Sequence, residues 1–308
     1  MQTILGANGV IGQGLTRALA QANLRIRQVS RHPRRVGPTD ETVSADLLDP
    51  EATAAAVADS EVVYLVAGLK YDASVWEEQW PRVMRHVIGA CKRHDARLVF
   101  LDNVYAYGHV DGPMTESTPF NPASRKGEVR ARIASMLLDE MRSGGLQAMI
   151  VRSADFYGPG ATNSFPHVLV FERIRKGKAP QWIGNPAAVH TFTFTPDAAR
   201  AMAVLGRSPE AFGQTWHLPT TREPLGGADF ARLACELAGK PCKLSVAPRW
   251  LLKAMGLFVP TLCENEEMMY QFEYDYRFDS GKIESAFGLQ ATPYREGIGE
   301  SLGRVAPA

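Results

Sequence analysis

Little in this sequence points to a metal, a disulfide framework or a polyanionic partner. The four cysteines, Cys91, Cys235, Cys242 and Cys263, lie far apart with no C-x-x-C pair. They read as free thiols of a reducing compartment, not as bridges or ligands. The seven histidines show no metal-ligand spacing, and each reads as a loop or surface residue. Charge nearly cancels, at a formal +1, which argues against a nucleic-acid or membrane-surface partner. No apolar run is long enough to cross a bilayer; the most apolar late stretch, Trp250 to Cys263, is broken by Lys253 and Pro260. No signal peptide precedes the first strand, so a cytoplasmic protein is expected. Internal repeats and low-complexity linkers are missing as well. What is there is a chain of 308 residues, 45% hydrophobic, sufficient for one large domain or two interlocked ones.

The stretch that organises the rest is Met1 to Gly12. A short apolar run reaches Gly6, passes through a glycine-rich turn, and enters a segment with Ile11, Leu15 and Leu19 on one helical face. Strand, tight turn and helix in that order aim helix-N-terminal N–H groups at whatever lies above the strand end, which suits a diphosphate. Glycines at 6, 9 and 12 divide the work: one makes the turn, one admits the phosphates, one lets the helix lie close to the sheet. No Lys-Ser/Thr follows, so a P-loop is excluded. Gly6, Asn8, Gly9, Val10, Ile11 and Gly12 are therefore the candidate cradle.

Leu24 to Val29 alternates as a second strand, and its tip is the place where an acidic residue would bind a ribose 2′-hydroxyl. Ser30 and Arg31 stand there instead, with Arg34 and Arg35 behind. A guanidinium pairs with a 2′-phosphate, which favours NADP over NAD; a solvated basic loop is the alternative reading. Thr42 to Asp49 is a third strand and turn, with Asp46 and Leu47 placed to meet an adenine. A helix over 51–58 leads to a buried strand, Glu61 to Leu69, ending at Ala67-Gly68. A long helix from about 75 to 94, a strand over 98–102, a helix over 125–141 and a strand over 149–151 follow. This alternation describes an α/β chain with a doubly wound parallel sheet. The rhythm breaks after Gly160. Residues 1–160, with 191–221 returning to them, read as the nucleotide-binding domain; 161–190 and 222–308 read as a smaller substrate lobe laid over the strand ends.

Gly6–Gly12, Asp46-Leu47, Leu101–Gly108, Arg152–Gly160 and the closing Phe278-Asp279-Ser280-Gly281-Lys282 with Phe287-Gly288-Leu289 resemble the extended short-chain dehydrogenase/reductase family. More narrowly, the chain is similar to its NAD(P)-dependent nucleotide-sugar epimerase/dehydratase branch. That resemblance implies a Rossmann-type domain with a C-terminal substrate lobe, and homodimers packed through the helices at 75–94 and 125–141. It also implies that Ser153, Ala154, Asp155 and Phe156 lie against the nicotinamide. The catalytic motifs depart from the pattern. Asn103 occupies the position of the second Ser or Thr of Ser-Ser-x-x-Val-Tyr-Gly. Lys126 and Arg130 stand where Tyr-x-x-x-Lys is usual.

Hydride transfer at a carbon bearing oxygen needs a group that takes or gives the hydroxyl proton. Lys126 and Arg130 lie one turn apart on one helical face. A second cation and burial both favour the neutral amine, which would make Lys126 a usable acid/base. Arg130 would then contact the cofactor ribose, and Asn103 would hold the substrate carbonyl. Tyr105 and Tyr107, two apart in an extended segment, would point the way Asn103 points, and Tyr105 is a further candidate phenol. Tyr157 reads as a loop anchor, and Asp155 carries little expectation of catalysis. Asp197 reads as a helix cap. Arg173, Arg175, Lys176 and Lys178 read either as diphosphate ligands or as a solvated helix face. The expected function is an NAD(P)-dependent oxidoreductase or epimerase of a small carbonyl or hydroxyl substrate. The alternative from another class is a non-catalytic NADP(H)-binding sensor with a degenerate site.

Overall fold

The computed structural model describes residues 1–247 and 266–303. The apolar stretch Trp250 to Cys263, with its thiol, lies outside the described residues. The chain opens with β1 (Gln2–Leu5), α1 (Val10–Gln21), β2 (Ile26–Ser30) and β3 (Glu41–Ser44). Then come α2 (Pro50–Val57), β4 (Val62–Leu65), α3 (Ala73–Arg93) and β5 (Arg97–Asn103). After β6 (Pro113–Met114) follow α4 (Arg125–Arg142), β7 (Ala148–Ser153) and β8 (Asp155–Tyr157). The later elements include α5 (Glu172–Arg175), β9 (Gln181–Ile183), β10 (Phe192–Phe194), α6 (Thr195–Leu205) and β11 (Thr215–His217).

The chain divides into two compact units. The first comprises residues 1–106, 125–152 and 198–216; the second comprises 107–124, 153–197 and 217–308. Residues 107–124, 153–160, 191–197 and 217–221, assigned from the sequence to the first domain, thus group with the second unit. A seven-stranded sheet runs in the order β11-β7-β5-β4-β1-β2-β3. β1 pairs in parallel with both β2 and β4, and β4 with β5. Parallel strands covered on both faces by helices have no polar side, which is why β1, β4 and β7 are buried at every position. The strand order reverses between β1 and β4, the place where an open α/β sheet leaves a crevice beyond its strand ends.

Helix α1 buries Ile11, Leu15 and Leu19, spaced four apart, so one apolar stripe meets the sheet. Asp49 caps α2 by accepting from the Glu51 and Ala52 N–H groups, and Asp72 caps α3 from Ser74 and Val75. Helices α3 and α4 are tied together at one end by a two-pronged Arg125–Glu77 pair, at 2.8 and 2.7 Å. The second unit is built around an aromatic core that includes Tyr157, Phe171, Trp182, Phe192, Phe230, Phe272 and Tyr294. Within it β8 pairs in parallel with β10, so Asp155, Phe156 and Tyr157 lie beside Phe192, Thr193 and Phe194.

Candidate functional site

In the first unit, Gly6 ends β1 with φ +95°, and a Cβ there would sit 2.4 Å from the Ala67 Cα. Turn geometry and the close approach of β4's end both require glycine. A Cβ on Gly12 would meet the Ala7 backbone at 2.8 Å, so α1 lies against its own strand. Gly9 is different. It is exposed, has extended backbone, and its nearest neighbour in the Cβ direction is the Gly6 carbonyl oxygen at 3.5 Å. Nothing in the described chain explains a glycine there; a ligand that must come close to the backbone would.

Helix α1 starts at that residue with no side-chain cap and no acidic residue in its first turn. Its leading N–H groups and dipole are therefore left for an anion. The Ile11 side chain belongs to the core, so only its backbone, with that of half-buried Val10 and of Gly12, is offered at the helix start. The residues thus fit a dinucleotide diphosphate.

The Asn8 side chain has a structural task. Its Nδ2 donates to the His32 carbonyl at 2.7 Å, and its Oδ1 accepts from the Arg34 N–H at 3.2 Å. The glycine turn is thereby stitched to the loop after β2. In that loop Arg31, Arg34 and Arg35 are exposed, and Ser30 Oγ is buried with no partner among the described residues. Asp46 is exposed and closes its own turn by accepting from the Leu48 N–H. Leu47 is half-buried, with its carbonyl 2.9 Å from His86 Nδ1. Ala67 is half-buried and Gly68 exposed just past β4.

The end of β5 differs from expectation in three ways. First, Tyr105–Tyr107 forms a single 3-10 turn, started by the Tyr105 N–H donating to Asn103 Oδ1 at 3.1 Å. Alternation by two does not hold at three residues per turn. Tyr105 stacks on Trp76 in the first unit (centroids 6.3 Å, 16° apart), whereas Tyr107 hydrogen-bonds His217 in the second. Asn103 is left with its Nδ2 hydrogens, which suit a carbonyl oxygen.

Second, Arg130 is engaged inside the protein. Its guanidinium lies 2.6 Å from Asp102 Oδ1, donates to the Leu101 carbonyl, and sits over Trp80 and Phe100 at 4.8 and 5.1 Å. Arg152 meets the other Asp102 oxygen at 3.0 Å. The cation expected to act on Lys126 is therefore offset by a carboxylate, and the expected reach of Arg130 toward a ribose runs against this pairing. Third, Lys126 is fully buried, with Nζ 4.6 Å from the centre of the Tyr71 ring. Asp102, Arg152, Trp76 and Tyr71 were missed in the sequence. Charged residues closing otherwise apolar strands, Asp102 after Leu98–Leu101 and Arg152 after Met149–Val151, were the available signal.

In the second unit Ser153 is buried, Phe156 half-buried, and the Ala154 N–H donates to Thr193 Oγ1. Tyr157 is buried and its hydroxyl has no partner among the described residues. Burial pushes its pKa far above the ordinary phenol range, so it is no acid or base near neutrality. His190 and His217 are buried, not loop or surface residues. Both sit among aromatic rings and share hydrogen bonds with chain segments distant in sequence.

Asp197 lies in the first turn of α6, and its oxygens also accept from the Thr292 N–H and Oγ1. Arg173 donates to the Ala179 carbonyl, Arg175 to that of Ser301, and Lys176 pairs with Glu172. His109 packs on Tyr274. Among the described residues no cluster of His, Cys, Asp or Glu could hold a metal, and no helix is long and apolar enough to cross a membrane.

A profile of the NAD dependent epimerase/dehydratase family matches residues 3–218. The dTDP-glucose 4,6-dehydratases of Mycobacterium tuberculosis and Mycolicibacterium smegmatis are each 27% identical over 170 residues, covering 50% of this chain and 50% of the relative. The chain thus spans about half the length of the curated relatives it matches. Among solved structures, a Thermus thermophilus UDP-glucose 4-epimerase complex with NAD superposes with a TM-score of 0.79 at 20% identity, covering 98% of both chains. A Streptomyces venezuelae dTDP-glucose 4,6-dehydratase with NAD and DAU bound also gives 0.79, at 18% identity, covering 98% of this chain and 96% of that one. Both share the fold.

Proposed function

The chain belongs to the NAD dependent epimerase/dehydratase family, and from that premise we propose an NAD(P)-dependent oxidoreductase or epimerase of a hydroxyl or carbonyl substrate, with nucleotide sugars as the class. One observation carries the reading. An uncapped helix α1 starts at the sheet's switch point behind a glycine, Gly9, that the described chain itself does not require.

The backbone from Gly6 to Gly12 holds the diphosphate, with Asp46, Leu47, Ala67 and Gly68 flanking the adenine side. Ser30 and Arg31 select a 2′-phosphate, so NADP is preferred; no acidic residue stands in the loop 30–35 to bind a free 2′-hydroxyl. Ser153 and Phe156 line the nicotinamide end. A bound nicotinamide supplies the hydride chemistry. Asn103 donates from Nδ2 to the substrate oxygen, Lys126 carries its proton, and Tyr105 supports the Asn103 turn. Arg130 stays with Asp102 and fixes the helix that presents Lys126. Helices α3 and α4 form a homodimer interface, to be checked by light scattering.

A thermal-shift screen of NAD(H) and NADP(H), then UDP-, GDP- and dTDP-sugars, tests this, because a ligand of the native state raises its melting temperature by mass action. Stabilisation by neither dinucleotide overturns the reading. Arg31→Ala should lower NADP affinity and spare NAD. Turnover unchanged in Lys126→Ala removes that residue from the chemistry. A second reading, a non-catalytic NADP(H) sensor, is favoured by the Arg130–Asp102 pairing and the missing tyrosine at 126. Single-turnover oxidation of bound NADPH by a panel of carbonyl compounds separates the two.

A further inference from the structure

Thiols dispersed along a sequence need not be dispersed in space. Helix α7 (Gly227–Leu237) carries Cys235 in its last turn, buried in the core of the second unit. The helix ends in a tight reversal. The Gly239 N–H donates to the Glu236 carbonyl and the Lys240 N–H to the Cys235 carbonyl, both at 2.9 Å, with Gly239 at φ +66°. Those two bonds close a helix through a left-handed glycine and fold the chain back over the turn it has just left. Pro241 cannot prolong the helix, and Cys242 follows it. Just beyond, Leu244 and Ala247 pack on the same core that holds Cys235. Strand β12 (Ser245–Ala247) pairs there in parallel with β9, so the segment bearing Cys242 is fixed at both ends within the unit.

The reversal sets two free thiols side by side, joined by a side-chain hydrogen bond from Cys235 to Cys242. Burial, and then this contact, push the Cys235 thiol up to about 12, so it keeps its proton and is the donor. Access divides the pair. Cys242 is exposed, whereas Cys235 is 1% exposed, so an oxidant arriving from solvent meets Cys242 first.

We propose that Cys235 and Cys242 form a redox modification site: a hydroperoxide oxidises the exposed Cys242, and Cys235 closes a reversible disulfide with it. With hydrogen peroxide, the Cys242 sulfur attacks one oxygen and the O–O bond breaks. The other oxygen leaves as water with the Cys242 proton, and a sulfenic acid remains. The Cys235 sulfur then attacks the Cys242 sulfur, the S–S bond forms, and the S–O bond breaks. The hydroxyl leaves as water with the Cys235 proton. Two thiols lose two electrons, and one peroxide becomes two waters. A bridge with one exposed sulfur is of the reducible kind, so its state follows the surrounding thiols. Closed, it pins the end of α7 to the segment entering β12. The pair owes nothing to the cofactor and substrate proposed above.

Peroxide treatment of the full chain, then alkylation with iodoacetamide in denaturant and tryptic mass mapping, tests the site. Both cysteines fall on one peptide, Leu233 to Lys243, because Pro241 shields the bond after Lys240. In the wild type that peptide should lose two hydrogens and both alkylation sites, and dithiothreitol should restore both. Cys242→Ser should leave Cys235 open to alkylation after the same treatment. Cys235→Ala, which keeps the buried position apolar, should stop at a sulfenic acid on Cys242 that dimedone traps. Two alkylatable thiols after peroxide in the wild type overturn the proposal. So does a wild-type dimedone adduct equal to that of Cys235→Ala, or a bridge from Cys242 to any other cysteine. The wild-type peptide decides the matter even if a variant fails to fold.

Discussion

Asp102 at the end of β5 and Asp155 at the start of β8 are both carboxylates at strand ends, but they are held by opposite kinds of partner. Asp102 is fully buried between two guanidiniums, Arg130 and Arg152, whose charge is permanent. Asp155 meets a single imidazole and keeps 14% of its side chain exposed. A carboxylate braced on both oxygens by buried arginines serves as a strut. One held by a single imidazole carries no such second brace. Their partners, not their places at strand ends, separate the two carboxylates.

The largest expected effect is on that contrast. Asp102→Asn leaves two buried guanidiniums without their counter-charge and should cost about 3–5 kcal/mol in urea unfolding, whereas Asp155→Asn should cost under about 1 kcal/mol. Equal losses would erase the distinction. Next come the glycines. Gly12→Ala forces a Cβ to 2.8 Å from the Ala7 backbone and should cost about 1–3 kcal/mol. Gly9→Ala has room within the chain, so stability should hold within about 0.5 kcal/mol while dinucleotide affinity falls, read by calorimetry.

Thiols sharpen the same point about burial. The Cys91 thiol is pushed up to about 12 by burial, while Cys242 is exposed. Iodoacetamide at pH 8 should therefore label Cys242 in the native protein and spare Cys91, as peptide mass mapping would show.

The smallest effect belongs to Asp275. The Val189 N–H, and then Arg277, hold its carboxyl below the usual range. A depressed carboxyl stabilises the fold above its unfolded value near ~3.9 and loses that contribution as pH falls through the folded value. Asp275→Asn should flatten only the acid limb of the stability curve. With half the side chain exposed, the change stays below about 1 kcal/mol.

The sheet and its helices were legible because their signals are local: apolar strand runs, helical stripes, and a glycine turn between them. Gly6 and Gly12 could be given their positions from spacing alone. The 3-10 turn at Tyr105–Tyr107 was not legible, since an Asx contact from Asn103, not alternation, sets it. Nor were the pairings that decide the chemistry. Asp102 finds its partners 28 and 50 residues away, and Asp155 finds His190 at a distance of 35. His190 is a lone histidine in sequence, and only the β8–β10 pairing brings it beside a carboxylate.

Asn8 carries a practical consequence. Because one amide side chain bridges the glycine turn and the loop after β2, the two cannot be exchanged as separate modules. Grafting a foreign ribose-recognition loop over residues 31–35 would remove both anchor points of that latch. Cofactor redesign here would then fail through a slackened turn even when the transplanted charges are right, unless the new loop offers a carbonyl and an N–H at the same two places.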